Sequence, residues 1–329
     1  MSDQTTLNET PFSNLTPDNL LDAIEQCGWI PDGTLVVLNS YENRVYQVGI
    51  EDDLPVVVKF YRPGRWTNEQ IQEEHDFLQE LKNLELPCVA PLTSANGQSL
   101  FHENNFRIAL FPRQGGYPPD IENPDNLQVL ARCIARIHAV GAHKKFTYRI
   151  SLSTARMGEE CAAFILENDF IPTELIPAYE TTVRDLLDRL NTVDIPIHTR
   201  IHGDCHLGNV LWRNDAAHFV DFDDALMGPC IQDLWMLLSG SYSDRSGQMS
   251  ELLEAYSEFH DFDLSELNLI EPLRSLRIIH HAAWLARRWN DPAFPLAFPW
   301  FNTMRYWSDH ILELREQLAA LDEPTLRVY

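Results

Sequence analysis

Apolar positions follow two regimes along this chain. Up to about residue 111 they alternate with polar ones or form short β-branched runs, and from about residue 126 they recur every three or four positions. The first signal is nonetheless a helix: Thr16-Pro17-Asp18 offers a cap and a first-turn proline, Leu20, Leu21 and Ile24 share a face, and Gly28 ends it. Leu35 to Leu38 and Arg44 to Val48 predict two strands joined by the turn Asn39 to Asn43, and Pro55 to Tyr61 a largely buried third. Thr67 to Asn83 predicts a helix with Ile71, Leu78 and Leu81 on its buried stripe. Leu86 to Leu92, Gln98 to His102 and Phe106 to Phe111 read as further strand-like runs, six in all, from which a five-stranded antiparallel sheet is expected.

Strand character then gives way to helix across Pro112-Arg113-Gln114-Gly115-Gly116-Tyr117-Pro118-Pro119, the strongest linker signal in the chain. It divides an N-terminal lobe, residues 1–113, from a mainly helical C-terminal lobe, residues 114–329, in an α+β fold. In the second lobe helices are predicted over Asn126–Ala139, Ala155–Glu167, Pro177–Asn191, Ile231–Leu238, Met249–His260, Glu271–Trp289 and Tyr306–Leu318. An aromatic, proline-rich loop, Asp291 to Phe301, separates the last two.

One stretch of that lobe is polar where its neighbours are not: RIHGDCHLGNVLWRNDAAHFVDFDD, Arg200 to Asp224. His202-x-Asp204 is followed five residues on by Asn209, and the strand-like His218-Phe219-Val220 delivers Asp221. His, Asp and Asn also collect in glycine-containing turns for backbone reasons alone, so His-x-Asp by itself means little. The whole layout means more. Phosphoryl transfer needs a carboxylate to hold an acceptor hydroxyl and take its proton, and oxygen ligands for Mg²⁺. Asp204 fits the first role, Asn209 and Asp221 the second. His202, Cys205 and His206 carry zinc-binding atoms, but their spacing matches no zinc motif and Gly203 disfavours an aligning helix.

The first lobe supplies candidates for the anionic ligand. Lys59 lies in an apolar strand, where an ammonium needs an anionic partner. Of two candidates on the next helix, Glu74 shares the face of Ile71 and Leu78 and Glu73 does not, so Glu74 is expected to pair with Lys59. The Asn39–Asn43 turn lacks G-x-G-x-x-G, and Ser40 with backbone N–H groups stands where a phosphate-covering loop would be. Asp233, early in its predicted helix, suits either the helix dipole or N–H groups of the Asp204 loop.

Composition narrows the partners. With 49 acidic against 25 basic side chains, the net charge of −24 argues against a surface that grips nucleic acid or an anionic membrane. Six scattered cysteines show neither a disulfide framework nor C-x-x-C pairs. No apolar signal core or membrane-length run is present, so a cytoplasmic protein is expected, and a monomer.

HGDCHLGN and VDFDD, with Val58-Lys59 and the Glu74 helix before them, resemble the aminoglycoside phosphotransferase and choline kinase group, over essentially the whole chain. That resemblance implies a protein-kinase-like bilobal fold using ATP and Mg²⁺. It also implies Asp204 as proton acceptor, Asn209 and Asp221 as Mg²⁺ ligands with Asp221 also catalytic, Lys59 on the phosphates, and Ser40 at the ATP site. NSYENRVYQ, VVKFYRPGRW, QDLWMLL and WLARRWNDPAFP further resemble a bacterial branch of cytoplasmic serine/threonine protein kinases of the stress response. The glycine-rich loop and an A-P-E activation segment are missing, as they are from the group it resembles. The acceptor stays open between a protein hydroxyl and a small molecule such as choline, homoserine or an aminoglycoside-like alcohol. A non-catalytic nucleotide-binding switch is a third reading, against which the filled catalytic positions argue.

Overall fold

The structure, a computed structural model, describes residues 11–329. Two compact units are present: the described residues up to Gly115 together with Asn290–Phe294, and Gly116–Trp289 with Pro295–Tyr329.

The first unit opens with α1 (Pro17–Gln26), whose Thr16 hydroxyl caps the Asn19 N–H at 3.3 Å. A five-stranded antiparallel sheet follows, in the order β1 (Pro31–Leu38), β2 (Arg44–Ile50), β3 (Val56–Phe60), β5 (Phe106–Pro112), β4 (Phe101–Glu103). Between β3 and β4 runs α2 (Asn68–Asn83), started by a reciprocal capping box of Thr67 and Gln70. Val58 and Phe60 of β3 join Val48, Ile108, Leu110 and Ile24 in the core, and strand alternation points Lys59 to the opposite face. Leu86–Leu92 was expected to be a strand and is not. Pro87 and Pro91 remove ladder donors, and the segment instead lays single bonds, such as Leu92 N–H to Leu110 O at 2.7 Å.

The second unit is mainly helical: α3 (Pro124–Gly141), α4 (Glu160–Glu167) and α5 (Ile176–Leu190) precede two small antiparallel ribbons. β6 (Thr199–Ile201) pairs with β9 (Leu226–Gly228), and β7 (Val210–Arg213) with β8 (Ala216–Phe219). Then come α6 (Ile231–Trp235), α7 (Tyr242–Tyr256), α8 (Ile270–Arg288), α9 (Ala293–Ala297) and α10 (Met304–Ala320). Three boundaries differ from the periodicity. The helix expected over Ala155–Glu167 opens with a wide turn at Ala155–Glu159, where a Cβ on Gly158 would press on Leu187 and Leu276. The helix from Ile231 stops at Trp235, and α7 starts at Tyr242 rather than Met249 because Ser241 and Asp244 form a capping box. The proline-rich loop also folds one short helix, α9. No helix among the described residues is long and apolar enough to cross a membrane.

Candidate active site

In the second unit, β6 ends at Ile201 and the chain turns through His202 to Asn209 before β7. Gly203 makes that turn possible. Its φ is +84°, and a Cβ there would strike the Asp224 carbonyl. Three bonds bring the sequence-predicted residues together. The β7–β8 hairpin pairs Val210 with Phe219, so the Val220 N–H reaches Asn209 O at 3.0 Å and Asp221 follows directly. The Asn209 Nδ2 donates to Asp204 O at 3.0 Å, and His202 Nε2 donates to Val220 O at 2.9 Å. Asp221 itself is exposed and left-handed, with φ 61° and ψ 60°, a conformation that Asp tolerates better than most residues and that turns the chain sharply at the carboxylate.

Both readings left open for Asp233 are resolved. Its two carboxylate oxygens accept the His202 N–H at 2.7 Å and the Gly203 N–H at 2.9 Å. His138 of α3 donates from Nε2 to the same carboxylate at 3.0 Å, and its Nδ1 lies 2.9 Å from the Tyr256 hydroxyl. Burial alone would depress His138, but Cys230 and Asp233 raise it to about 10, so the ring carries its proton at neutral pH. Gln232 adds a bond to Gly203 O at 3.0 Å, and buried Arg149 holds the segment after Asp221 through Ala225 O at 2.6 Å and Asp223 O.

Asp204 has one neighbour that the sequence did not announce. Arg277 of α8 donates from Nη1 to Asp204 Oδ1 at 2.6 Å, and His206 Nε2 lies 3.5 Å from Oδ2. Burial pushes the Asp204 carboxyl up, but Arg277, His206 and His202 outweigh it and hold it below the ordinary carboxylate range. The zinc-type atoms are used otherwise: both His202 ring nitrogens are engaged with backbone, His206 Nδ1 accepts the Gly208 N–H, and Cys205 is buried.

In the first unit, Lys59 Nζ lies 3.9 Å from Glu74 Oε1, with both side chains more than nine-tenths buried. Glu73, one position earlier, is only partly buried. Ser40 sits half-buried in the β1–β2 turn. That turn is held by charge rather than shaped by glycine: buried Arg62 reaches Glu42 O at 2.8 Å and Tyr41 O at 3.3 Å, and its N–H reaches Asn43 Oδ1 at 3.0 Å. Asp291, which the sequence placed in the other lobe, joins this unit because its carboxylate receives Arg62 at 2.7 Å and Arg44 at 3.2 Å. Sequence reasoning missed Arg62, Asp291, Arg149, His138 and Arg277. The only available signal was a charged or imidazole group among apolar neighbours.

The sequence profile of the phosphotransferase enzyme family matches residues 34–270. The chain belongs to that family. It is 42% identical over 320 residues to stress response kinase A of Escherichia coli strain K12, covering 96% of this chain and 97% of the relative. It is also 42% identical over 324 residues to the serine/threonine protein kinase RdoA of Salmonella typhimurium, covering 98% of each. The fold is that of an amicoumacin kinase solved in complex with AMP-PNP, Ca²⁺ and Ami, at a TM-score of 0.72, 18% identity and coverage of 93% of this chain and 94% of that one. The protein is therefore a kinase-type phosphotransferase.

Proposed function

We propose that this phosphotransferase is a cytoplasmic, monomeric serine/threonine protein kinase of a bacterial stress response, moving the ATP γ-phosphoryl group to a protein hydroxyl with Mg²⁺. The observation that carries the reading is the hairpin register that puts Asn209 beside Val220-Asp221 while Asn209 also binds the loop of Asp204. The donor set suits Mg²⁺: the Asn209 amide nitrogen is occupied by Asp204 O, which leaves its carbonyl oxygen as donor, and Asp221 is an exposed carboxylate. A bound Mg²⁺ would neutralise charge on the transferring phosphates.

The chain's own residues do the rest. Asp204 accepts a hydrogen bond from the acceptor hydroxyl and takes its proton as that oxygen bonds to the γ-phosphorus. The bond from that phosphorus to the β–γ bridging oxygen breaks, and ADP leaves. Lys59, oriented by Glu74, holds the phosphates, and Ser40 covers them from the β1–β2 turn. The protein acceptor is supported by the serine/threonine kinase among relatives of 42% identity. A small-molecule acceptor is the second reading, supported by the amicoumacin kinase of the same fold.

Radiolabelled ATP offered with casein-like protein, peptide and amino-alcohol acceptors separates the two. Asp204→Ala should keep nucleotide binding and lower turnover about 10²–10⁴-fold, the usual contribution of a general base. Undiminished turnover refutes the assignment. Asp221→Ala should remove the divalent-dependent part of nucleotide binding, and normal binding there refutes the metal role.

A further inference from the structure

Arg277 holds the proposed base by a single N–H. Its Nη1 lies 2.6 Å from Asp204 Oδ1, its side chain is 41% exposed, and no other hydrogen-bond or ion-pair partner for it exists among the described residues. A guanidinium has five N–H donors in a fixed planar fork, so four have no bonding partner among the described residues, on a half-exposed side chain beside the carboxylate that receives the acceptor.

The neighbours strengthen the point. Arg274, Arg277 and His281 follow each other at three and four residues along α8 and so share one face. Arg274 lies over the Trp235 ring at 5.3 Å, and Trp235 donates to Gln232, which in turn binds Gly203 O of the Asp204 loop. Arg274 is paired with Glu271 at 3.7 Å and burial holds His281 below its ordinary value, so Arg277 is the cation that this face sets beside the Asp204 loop in a protein of net charge −24. Cationic acceptors such as amino alcohols and aminoglycosides would meet Arg277 at the point of transfer. An acceptor whose hydroxyl has a carboxylate next to it would instead meet an open guanidinium fork, the strongest protein partner for that group.

Resting on the phosphotransferase reading above, we propose that Arg277 is the acceptor-selecting residue, and that it favours a serine or threonine flanked by acidic residues. The carboxylate of such a peptide takes the open edge of the guanidinium while Arg277 keeps Asp204 in place, so one side chain sets both the acceptor and the base.

The test uses the full-length protein with three peptides carrying one serine between acidic, neutral or basic neighbours. KM should be lowest for the acidic peptide, on the order of tenfold below the basic one, as expected for one exposed charge-assisted pair. Arg277→Glu should reverse that order in KM, and Arg277→Lys should restore it in part. Nucleotide affinity unchanged in both variants shows that they are folded. Equal KM values across the three wild-type peptides, or an order unaltered by Arg277→Glu, overturn the selecting role and leave phosphotransfer intact. Transfer by the wild type to amino alcohols and to none of the peptides overturns both this role and the protein-kinase reading. Loss of the acidic preference in Arg277→Glu with its return in Arg277→Lys supports the role, because a merely structural arginine would not sort peptides by charge.

Discussion

The carboxylate proposed as the base is held against a guanidinium, and that sets the pH range in which it is ionised. Asp204 is depressed below its ordinary value, with Arg277 the largest of the lowering influences. Its ionised form therefore exists above that depressed value and is lost as pH falls through it. Arg277→Gln removes the main lowering influence, so the acid limb of the kcat/KM profile should move to higher pH, measured with a neutral acceptor. An unmoved limb would mean that Asp204 is not the titrating base. Asp233 is the second residue on which the loop depends. Asp233→Ala leaves the His202 and Gly203 N–H groups and a buried charged His138 without their acceptor. The expected loss is about 3–5 kcal/mol in denaturant unfolding, the usual cost of breaking a buried ion pair. Turnover should fall while nucleotide binding persists.

Elements show why some of this was legible and some was not. Contacts that repeat at helical or strand spacing can be read locally. Glu74 announced itself because it shares the stripe of Ile71 and Leu78, and Asp221 because it follows a strand-like run. Partners brought in by tertiary packing leave no such trace: Arg277 meets Asp204 across 73 positions, and Asp291 meets Arg62 across 229. Leu86–Leu92 shows the opposite failure, since an apolar run resembles a strand until Pro87 and Pro91 are counted against its ladder. The β1–β2 turn is the element where this matters most. With no glycines to let its backbone approach a phosphate, it relies on Arg62 to fix Tyr41, Glu42 and Asn43, and on Asp291 to fix Arg62. Asp291→Ala exposes two arginines to an unbalanced site, one of them buried. It should cost about 3–5 kcal/mol of stability and raise KM for ATP more than it lowers kcat. Stability at the wild-type level would show that the clamp is ornamental.

At the scale of the whole molecule, one buried carboxyl and the overall charge act on stability in the same direction. Burial, with Cys230 beside it, lifts Glu266 from 4.5 to about 7, although its Oε2 still accepts the Ile231 N–H at 2.9 Å. The stabilisation from its neutral form is fully present below 4.5 and is lost as pH rises through about 7. His138, lifted from 6.5 to about 10, and Cys230, lowered from 9.0 to about 5 by His138 against the penalty of burial, have opposite slopes over the range they share and offset one another there. A net charge of −24 adds self-repulsion that grows as the remaining carboxyls ionise. Asp204 and Asp291, both depressed, oppose this only in acid, where their contribution disappears as pH falls below 3.8. Thermal midpoints should therefore peak near about pH 5 and decline toward about pH 8 at low salt. Raising salt to about 0.5 M screens the surface repulsion and leaves the buried groups unaffected, so the surface part of the decline should vanish. Glu266→Gln, which is neutral at every pH, removes that slope, so the wild type should lose stability relative to the variant between about pH 4.5 and about pH 7. A stability difference between wild type and Glu266→Gln that stays constant over that range would show that Glu266 does not titrate there.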